Sequence, residues 1–152
     1  MKVTAQIGRI ITTGVASFGV AGALMLTASP ATAAAPVTAT PAAAATARNG
    51  VCESGEFCLY YLPGRAGSVS DFSSSVSNYG SSKPSCYEFR GPGAGQGQCV
   101  KNNAMSVWNR SSRAVTVYYN SGYTGPSQTF ASGQAGDLNS ALSNNNASHR
   151  FR

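Results

Sequence analysis

One pattern occurs twice in this chain of 152 residues. Each copy begins with a triplet spaced Tyr-x4-Tyr/Arg-x-Gly and ends with an Asn-Asn-x-x-Ser element. The first copy contains Tyr60, Arg65 and Gly67, then Asn102, Asn103 and Ser106; the second contains Tyr118, Tyr123 and Gly125, then Asn144, Asn145 and Ser148. A fixed pattern that recurs in a short chain predicts a duplicated supersecondary unit. The fold must therefore contain two similar halves.

The two copies differ in length. Gly67 and Asn102 are 35 positions apart, whereas Gly125 and Asn144 are 19 positions apart. The first copy therefore carries 16 additional residues, and this longer connection contains two of the four cysteines. Because the scaffold is duplicated and the insertion is not, we expect the function to depend on the insertion.

The N-terminal part of the chain has the composition of a processed segment. A basic start is followed by an uncharged, mostly apolar run over residues 10–28 and a small-x-small sequence at residues 31–33. This order predicts a secretory signal peptide over residues 1–33. The run is also close to the roughly 18 residues that span a bilayer, so a retained anchor helix is the alternative. Residues 34–47 are nearly all Ala, Thr and Pro and predict a flexible leader or linker.

The remaining residues, 48–152, are enough for one domain. This part has nine basic and five acidic residues, because two of the 11 bases precede it, and the formal net charge falls from +6 to +4. The bases are scattered, and no basic run is interleaved with aromatic residues. We therefore expect no nucleic-acid partner, no membrane partner after signal cleavage, and a monomer.

The four cysteines all follow the predicted cleavage site. Their even number and the oxidising destination predict two disulfides among Cys52, Cys58, Cys86 and Cys99. Three pairings are possible, and the sequential one would close loops that stabilise by about 2 and 3 kcal/mol. A zinc site is disfavoured because C-x5-C and C-x12-C are not zinc-knuckle spacings and the sole histidine is His149.

The exported part predicts an all-β fold. Short runs rich in Val, Thr and aromatic residues alternate with Gly, Ser, Asn and Pro. The predicted strands are 57–62, 68–72, 86–90, 105–109, 114–120, 127–131 and 147–151. Residues 135–142 are predicted to form at most one helical turn. Short strands and an internal duplication predict two Greek-key units that face each other as a sandwich.

The repeated triplet predicts a strand end that folds back over itself. Gly67 and Gly125 supply the positive φ that such a fold requires. We expect Tyr118 and Tyr123 to stack across it. In the first copy Arg65 takes the place of the second tyrosine, either as a cation-π partner of Tyr60 or as a plain surface arginine. Along the strand at 114–120, Val115, Val117 and Tyr119 are expected on one face and Thr116 and Tyr118 on the other.

These motifs resemble those of a known family. The "YxxxxYxG" and "NNxxS" elements resemble the βγ-crystallin Greek key over nearly all of residues 48–152. With "C-x5-CLYY", "GQCVKNNAMSVWNR", "VYYNSGYTG" and "NNNASHRF", the chain is similar to the secreted bacterial βγ-crystallin-like peptidase inhibitors, peptidase inhibitor family 36. The resemblance implies a disulfide-linked βγ-crystallin-like sandwich. It also implies an extracellular peptidase as partner, a thermolysin-like metalloprotease or alternatively a serine protease.

The resemblance also implies a possible calcium site, since the fold often binds calcium through Asn/Asp-Asn/Asp-x-x-Ser/Thr-Ser. The candidate ligands are Asn102, Asn103, Ser106, Asn144, Asn145 and Ser148. Val107 and His149 replace the final serine, and neutral amides replace carboxylates, so any binding is expected to be weak. The alternative is that these side chains satisfy backbone groups in tight turns. No cofactor is expected to be required.

An enzyme is not expected. Acid-base catalysis needs a base held by a partner, and the single histidine lies three residues from the chain end. The cysteines are expected to be oxidised. The "GPGAGQGQ" stretch is glycine-rich but leads into a cysteine, not into a helix with a Lys-Ser/Thr pair.

An inhibitor must present a rigid segment to a peptidase cleft. The insertion has that design, because a glycine-rich stretch leads to Cys99 as a covalent anchor and then to Val100. Thermolysin-like enzymes select a bulky apolar residue after the bond they cut. The Cys99–Val100 bond is therefore the predicted reactive bond, as the resemblance also implies. The alternative function is a calcium-binding structural or envelope-associated module.

Overall fold

A computed structural model describes residues 48–152 of the chain. The predicted signal peptide and leader lie outside the described residues. Within 48–152 the chain forms seven strands and one short 3-10 turn at Pro63–Arg65. The strands are β1 Phe57–Tyr60, β2 Val69–Phe72, β3 Ser106–Asn109, β4 Val115–Asn120, β5 Thr124–Phe130, β6 Ala135–Asp137 and β7 Ser148–Phe151. No helix in this range is long and apolar enough to cross a membrane.

The strands form two antiparallel sheets. Sheet 1 has the order β2-β1-β3-β6, and sheet 2 has the order β5-β4-β7. The predicted all-β, disulfide-linked sandwich is confirmed. The disulfides join Cys52 to Cys58 and Cys86 to Cys99, which is the sequential pairing of the three possible ones.

Each repeat supplies residues that pair with a strand in the sheet of the other repeat. The second repeat supplies β6, whose Gly136 pairs with Val107 of β3. The first repeat supplies Val76, which forms an isolated antiparallel bridge with His149 of β7. The two halves are therefore interlocked through their sheets as well as packed face to face.

The core lies between the two sheets and draws on both repeats. Its members are buried apolar and aromatic side chains from the inner faces and from the long connections. They are Phe57, Leu59, Phe72, Val76, Tyr79, Phe89, Val100, Ala104, Val107, Val115, Val117, Phe130, Leu138, Leu142 and Phe151. Removal of these apolar side chains from water is the main favourable contribution to the folding free energy.

The fold-back predicted for each repeat is present. Gly67 has φ +73° and Gly125 has φ +80°, a region that side-chain-bearing residues rarely adopt. The rings of Tyr118 and Tyr123 meet edge to face with centroids 6.0 Å apart. Of the two alternatives for Arg65, the surface arginine is the one observed: the residue is exposed, and its guanidinium lies 4.8 Å from the centre of the Trp108 ring.

One predicted strand is wrong. Residues 86–90 form no strand, and Glu88 makes only an isolated bridge with Cys99. Residues 135–142 begin with β6 and continue into a single turn, in which the amides of Leu142 and Ser143 donate to the Asn139 carbonyl at 3.0 and 2.8 Å. Along β4 the outward-facing side chains of Thr116 and Tyr118 are buried as well as the inward-facing ones of Val115 and Val117. The hydroxyls of Thr116 and Tyr118 both accept hydrogen bonds from the Arg152 guanidinium.

Candidate functional site

The two Asn-Asn-x-x-Ser elements close the folded hairpins. The Ser106 hydroxyl donates to the Leu62 carbonyl (2.6 Å) and accepts from the Arg65 amide (2.9 Å). The Ser148 hydroxyl donates to the Asn120 carbonyl (2.6 Å) and accepts from the Tyr123 amide (3.3 Å). Each serine thus ties its strand to the chain that folds back over it.

The asparagines of both elements shape tight turns. Asn102 and Asn144 have φ of +61° and +57°, a conformation that asparagine tolerates better than most residues. The Asn103 side-chain amide donates to the carbonyls of Cys99 (2.9 Å) and Lys101 (3.2 Å). The Asn145 side-chain amide donates to the Ser143 carbonyl (3.1 Å).

This arrangement does not suit a hard cation. Both serine hydroxyls are already engaged as donor and acceptor, and the remaining oxygens are neutral amides and not carboxylates. The described residues also contain no group of three or more His, Cys, Asp or Glu side chains that could hold a metal ion. The motif therefore serves the backbone of the turns.

His149, which follows the second serine, is a core residue and not a ligand. It is fully buried and packs among Phe57, Phe72, Tyr79 and Phe151. Its Nε2 lies 3.0 Å from the carbonyl oxygen of Ser74, and its Nδ1 lies 2.8 Å from the Tyr79 hydroxyl. A carbonyl only accepts, so Nε2 carries the proton and Nδ1 accepts from the phenol. Burial lowers the pKa of His149 to about 3, so the ring is neutral.

The insertion of the first repeat is a rigid, exposed loop. Along residues 91–98 the side chains of Pro92, Ala94, Gln96 and Gln98 are exposed. The loop backbone is nevertheless hydrogen-bonded to the domain on both of its sides. Ala94 accepts from the Ser68 amide at 2.8 Å. The Gly97 amide donates to the Phe89 carbonyl (2.8 Å), whose own amide donates to the Gln98 carbonyl (2.9 Å).

Val100 is not part of this exposed loop. Its side chain is fully buried in the core. Its amide donates to the Tyr87 carbonyl (2.7 Å), and its carbonyl accepts from Asn103 (3.1 Å) and Asn146 (3.2 Å). Leu142, which precedes the second Asn-Asn pair at the same distance, is also fully buried. The predicted reactive bond Cys99–Val100 therefore lies at the end of the exposed loop with the Val100 side chain inside the core, and its role in peptidase contact stays a prediction.

A second exposed segment, residues 48–55, lies beside the insertion. Gly50 packs so closely on Gly91 that a Cβ added at Gly91 would lie 2.7 Å from the Gly50 carbonyl oxygen. The Arg90 guanidinium donates to the Arg48 carbonyl at 2.8 Å. We call residues 48–55 and 91–98 together the insertion face. Each of its two segments is adjacent to a disulfide.

Two buried carboxylates lie under the N-terminal segment. Asp71 accepts from the amides of Asn49 (3.0 Å) and Gly50 (2.8 Å). Glu56 accepts from the Glu53 amide (2.7 Å) through Oε2, while its Oε1 is buried with no hydrogen-bond partner among the described residues. Desolvation raises the pKa of Glu56, and the nearby charge of Asp71 adds to that rise. Sequence reasoning missed this segment, although an apolar residue directly before Cys52 was visible in the sequence.

Comparison with known proteins gives a family and a fold. Peptidase inhibitor family I36 matches residues 45–130, more than half of the chain. A structure from work on the evolution of the eye-lens βγ-crystallin domain fold is 15% identical, with 68% of this chain and 93% of that chain covered and a TM-score of 0.52. The N-terminal domain of protein S is 18% identical, with 64% and 94% covered and a TM-score of 0.46. No curated protein matches the chain.

The family match and the eye-lens structure confirm the βγ-crystallin-like fold expected from the repeated motif. At 15% identity the structural likeness carries the fold alone. The family is one of peptidase inhibitors, so the chain is a non-enzymatic protein with a peptidase as partner. The family match includes the insertion face and ends before the second Asn-Asn-x-x-Ser element.

Proposed function

Because this chain belongs to peptidase inhibitor family I36, we propose that it is a secreted inhibitor of thermolysin-like metalloproteases and binds them through the insertion face. The metalloprotease target follows from the sequence resemblance. Two disulfides and an inhibitor family are compatible with an extracellular protein.

The observation that carries the proposal is the rigidity of an exposed surface. Residues 91–98 are hydrogen-bonded to the domain and end at the Cys86–Cys99 disulfide. Residues 48–55 are held by Asp71 and by the Cys52–Cys58 disulfide. A surface that is ordered before binding loses little conformational entropy on binding, and it resists being drawn into a cleft as a substrate.

The experiment is a titration of the purified secreted protein against a small panel that includes thermolysin and a serine protease. We expect loss of thermolysin activity at near-stoichiometric inhibitor. Inhibition of the serine protease alone would contradict the target class, and inhibition of no enzyme would overturn the proposed function. In the last case a large rise in thermal midpoint with 1 mM calcium would favour the structural calcium module instead.

A pair of matched variants tests the surface. Gln98 lies on the insertion face, four residues before the first Asn-Asn pair, and Ser140 lies four residues before the second pair; both are exposed. We expect Gln98→Trp to weaken inhibition at least tenfold, because a bulky ring would separate the two surfaces. Ser140→Trp should leave inhibition unchanged. Equal effects of the two changes would place the contact elsewhere.

A further inference from the structure

An inhibitor of a peptidase that prefers apolar residues needs an accessible apolar side chain. Val100 does not meet this need because it is fully buried. Among the residues that the structure describes, the large apolar side chains that are exposed are Val51, at 55%, and Tyr119, at 42%. One of these two is therefore the available anchor.

Tyr119 is unsuited to a peptidase cleft. It lies on β4, which is the central strand of sheet 2 and is hydrogen-bonded to β5 on one side and β7 on the other. A side chain in the middle of a sheet stands beside the side chains of both neighbouring strands, so it does not project into a cleft as a loop residue can. Val51, in contrast, lies outside every strand and within the insertion face.

The chain before Val51 is held by a buried carboxylate. Asp71, which is fully buried, accepts hydrogen bonds from the amides of Asn49 and Gly50 at 3.0 and 2.8 Å. The Val51 amide itself donates to the Asn49 side-chain oxygen at 2.8 Å. Charge-assisted bonds of this kind are stronger than neutral ones, so this side of Val51 is fixed.

The chain after Val51 is held covalently. Cys52 is bonded to Cys58 of β1, and the Arg110 guanidinium donates to the Cys52 carbonyl at 2.7 Å. The same guanidinium stacks 4.5 Å from the centre of the Trp108 ring, which fixes its position. Val51 is thus an exposed apolar residue with a firm anchor on each side.

We propose that Val51 is the specificity-determining side chain of this inhibitor and enters an apolar pocket of the target peptidase. The inference rests on the proposed function and deepens it by naming the residue that makes the contact. A branched apolar side chain on a rigid support suits a pocket that selects bulky apolar residues, and buried anchors of this kind dominate interface energetics. The sequence pointed to the insertion that contains Cys86 and Cys99, and Val51 lies outside that insertion.

The test compares inhibition constants of the full secreted protein and four variants against the peptidase that the wild type inhibits. Val51→Leu should keep inhibition within a few-fold, because an apolar pocket discriminates weakly by size. Val51→Thr keeps the shape but replaces a methyl group with a hydroxyl, and should weaken inhibition about tenfold. Val51→Asp should weaken it more than about 100-fold, since an unpaired charge would be buried. Tyr119→Asp, which adds the same charge at the other exposed apolar site, should inhibit like the wild type.

The outcomes separate the two proposals. A wild type that inhibits no peptidase overturns the proposed function and this inference with it. A wild type that inhibits, together with an equally potent and folded Val51→Asp, overturns the inference alone. Loss of inhibition in Tyr119→Asp but not in Val51→Asp would assign the contact to sheet 2. Circular dichroism checks that each variant is folded. If Val51→Asp does not fold, the comparison of Val51→Thr with the wild type decides the question.

Discussion

At the scale of single residues, His149 occupies a position of the repeated motif but packs in the hydrophobic core. The sequence places it directly after the second Asn-Asn-x-x-Ser element, where a calcium motif would have serine. In the structure its ring fills the core and links the Tyr79 hydroxyl to the Ser74 carbonyl. Val107 occupies the equivalent position in the first repeat and is also fully buried. This position therefore belongs to the core in both repeats.

The burial of His149 predicts a loss of stability in acid. Its pKa is about 3 in the folded protein and near 6.5 in the unfolded chain, so the unfolded state binds the extra proton below pH 6.5. The stabilising contribution is complete above pH 6.5 and is lost as the pH falls towards 3. Between pH 7.5 and 5.5 we expect the unfolding free energy to fall by about 1.4 kcal/mol, measured by urea denaturation.

The control is His149→Gln, which keeps a side-chain donor and acceptor but does not titrate. We expect it to be less stable at pH 7.5 and to lose most of the pH dependence in this window. The raised pKa of Glu56 acts in the opposite sense, favouring the folded state at low pH, so the measurement stays above pH 5.5. An unchanged slope in His149→Gln would assign the dependence to other groups.

Val100 and Leu142 are expected to behave alike, because both are fully buried at equivalent positions of the two repeats. Val100→Asp and Leu142→Asp would each bury an unpaired charge, which costs several kcal/mol and should prevent folding. Near-ultraviolet circular dichroism checks this result. A folded Val100→Asp protein that has lost only its inhibitory activity would instead support a direct role for Val100 in peptidase contact.

At the scale of structural elements, the hairpins were predictable and the insertion was not. The glycine spacing of the repeat identifies both fold-backs, because each needs positive φ at the position that Gly67 or Gly125 occupies. The stretch 86–90 has the composition of a strand, yet its partners come from two different loops. Tyr87 donates to Tyr79, and Phe89 donates to Gln98. Local propensity does not contain such long-range pairing.

The position of Val100 could not be read from the sequence for a related reason. An apolar residue after a cysteine is compatible with an exposed anchor and with a core position, and only the packing of both repeats decides between them. The same ambiguity hid Val51, which is exposed directly after the two amides that Asp71 binds. Motif spacing thus predicted the scaffold, whereas the accessible residues required the tertiary structure.

The serines of the repeat predict a measurable contribution to stability. Ser106→Ala would leave the Leu62 carbonyl and the Arg65 amide without their partner, a loss of about 1–3 kcal/mol. Ser148→Ala should cost less, because its bond from the Tyr123 amide is longer, 3.3 Å against 2.9 Å. Thermal or urea unfolding of both variants, with the exposed Ser112→Ala as control, checks the order. Losses equal to that of the control would mean that the hydroxyls do not close the hairpins.

At the scale of the whole molecule, the two repeats form one folding unit. Sheet 1 contains β6 of the second repeat, and Val76 of the first repeat pairs with β7 in sheet 2. The core contains inward-facing residues of both repeats in one cluster. Neither repeat therefore completes its own sheet or covers its own apolar face.

This interlock predicts that the first repeat does not fold alone. A chain of residues 48–113 keeps all four cysteines, both disulfide partners and the insertion face, but it lacks β6 and the apolar face of sheet 2. A domain of about 60 residues buries only about 60% of the surface that its unfolded chain exposes, and here the core residues of the first repeat would also lose their partners from the second. We expect it to lack near-ultraviolet circular dichroism and amide protection, whereas residues 48–152 should unfold in one cooperative transition. Slow amide exchange in the 48–113 fragment would contradict this prediction. It would show that the first repeat, with its two disulfides, folds without the second repeat.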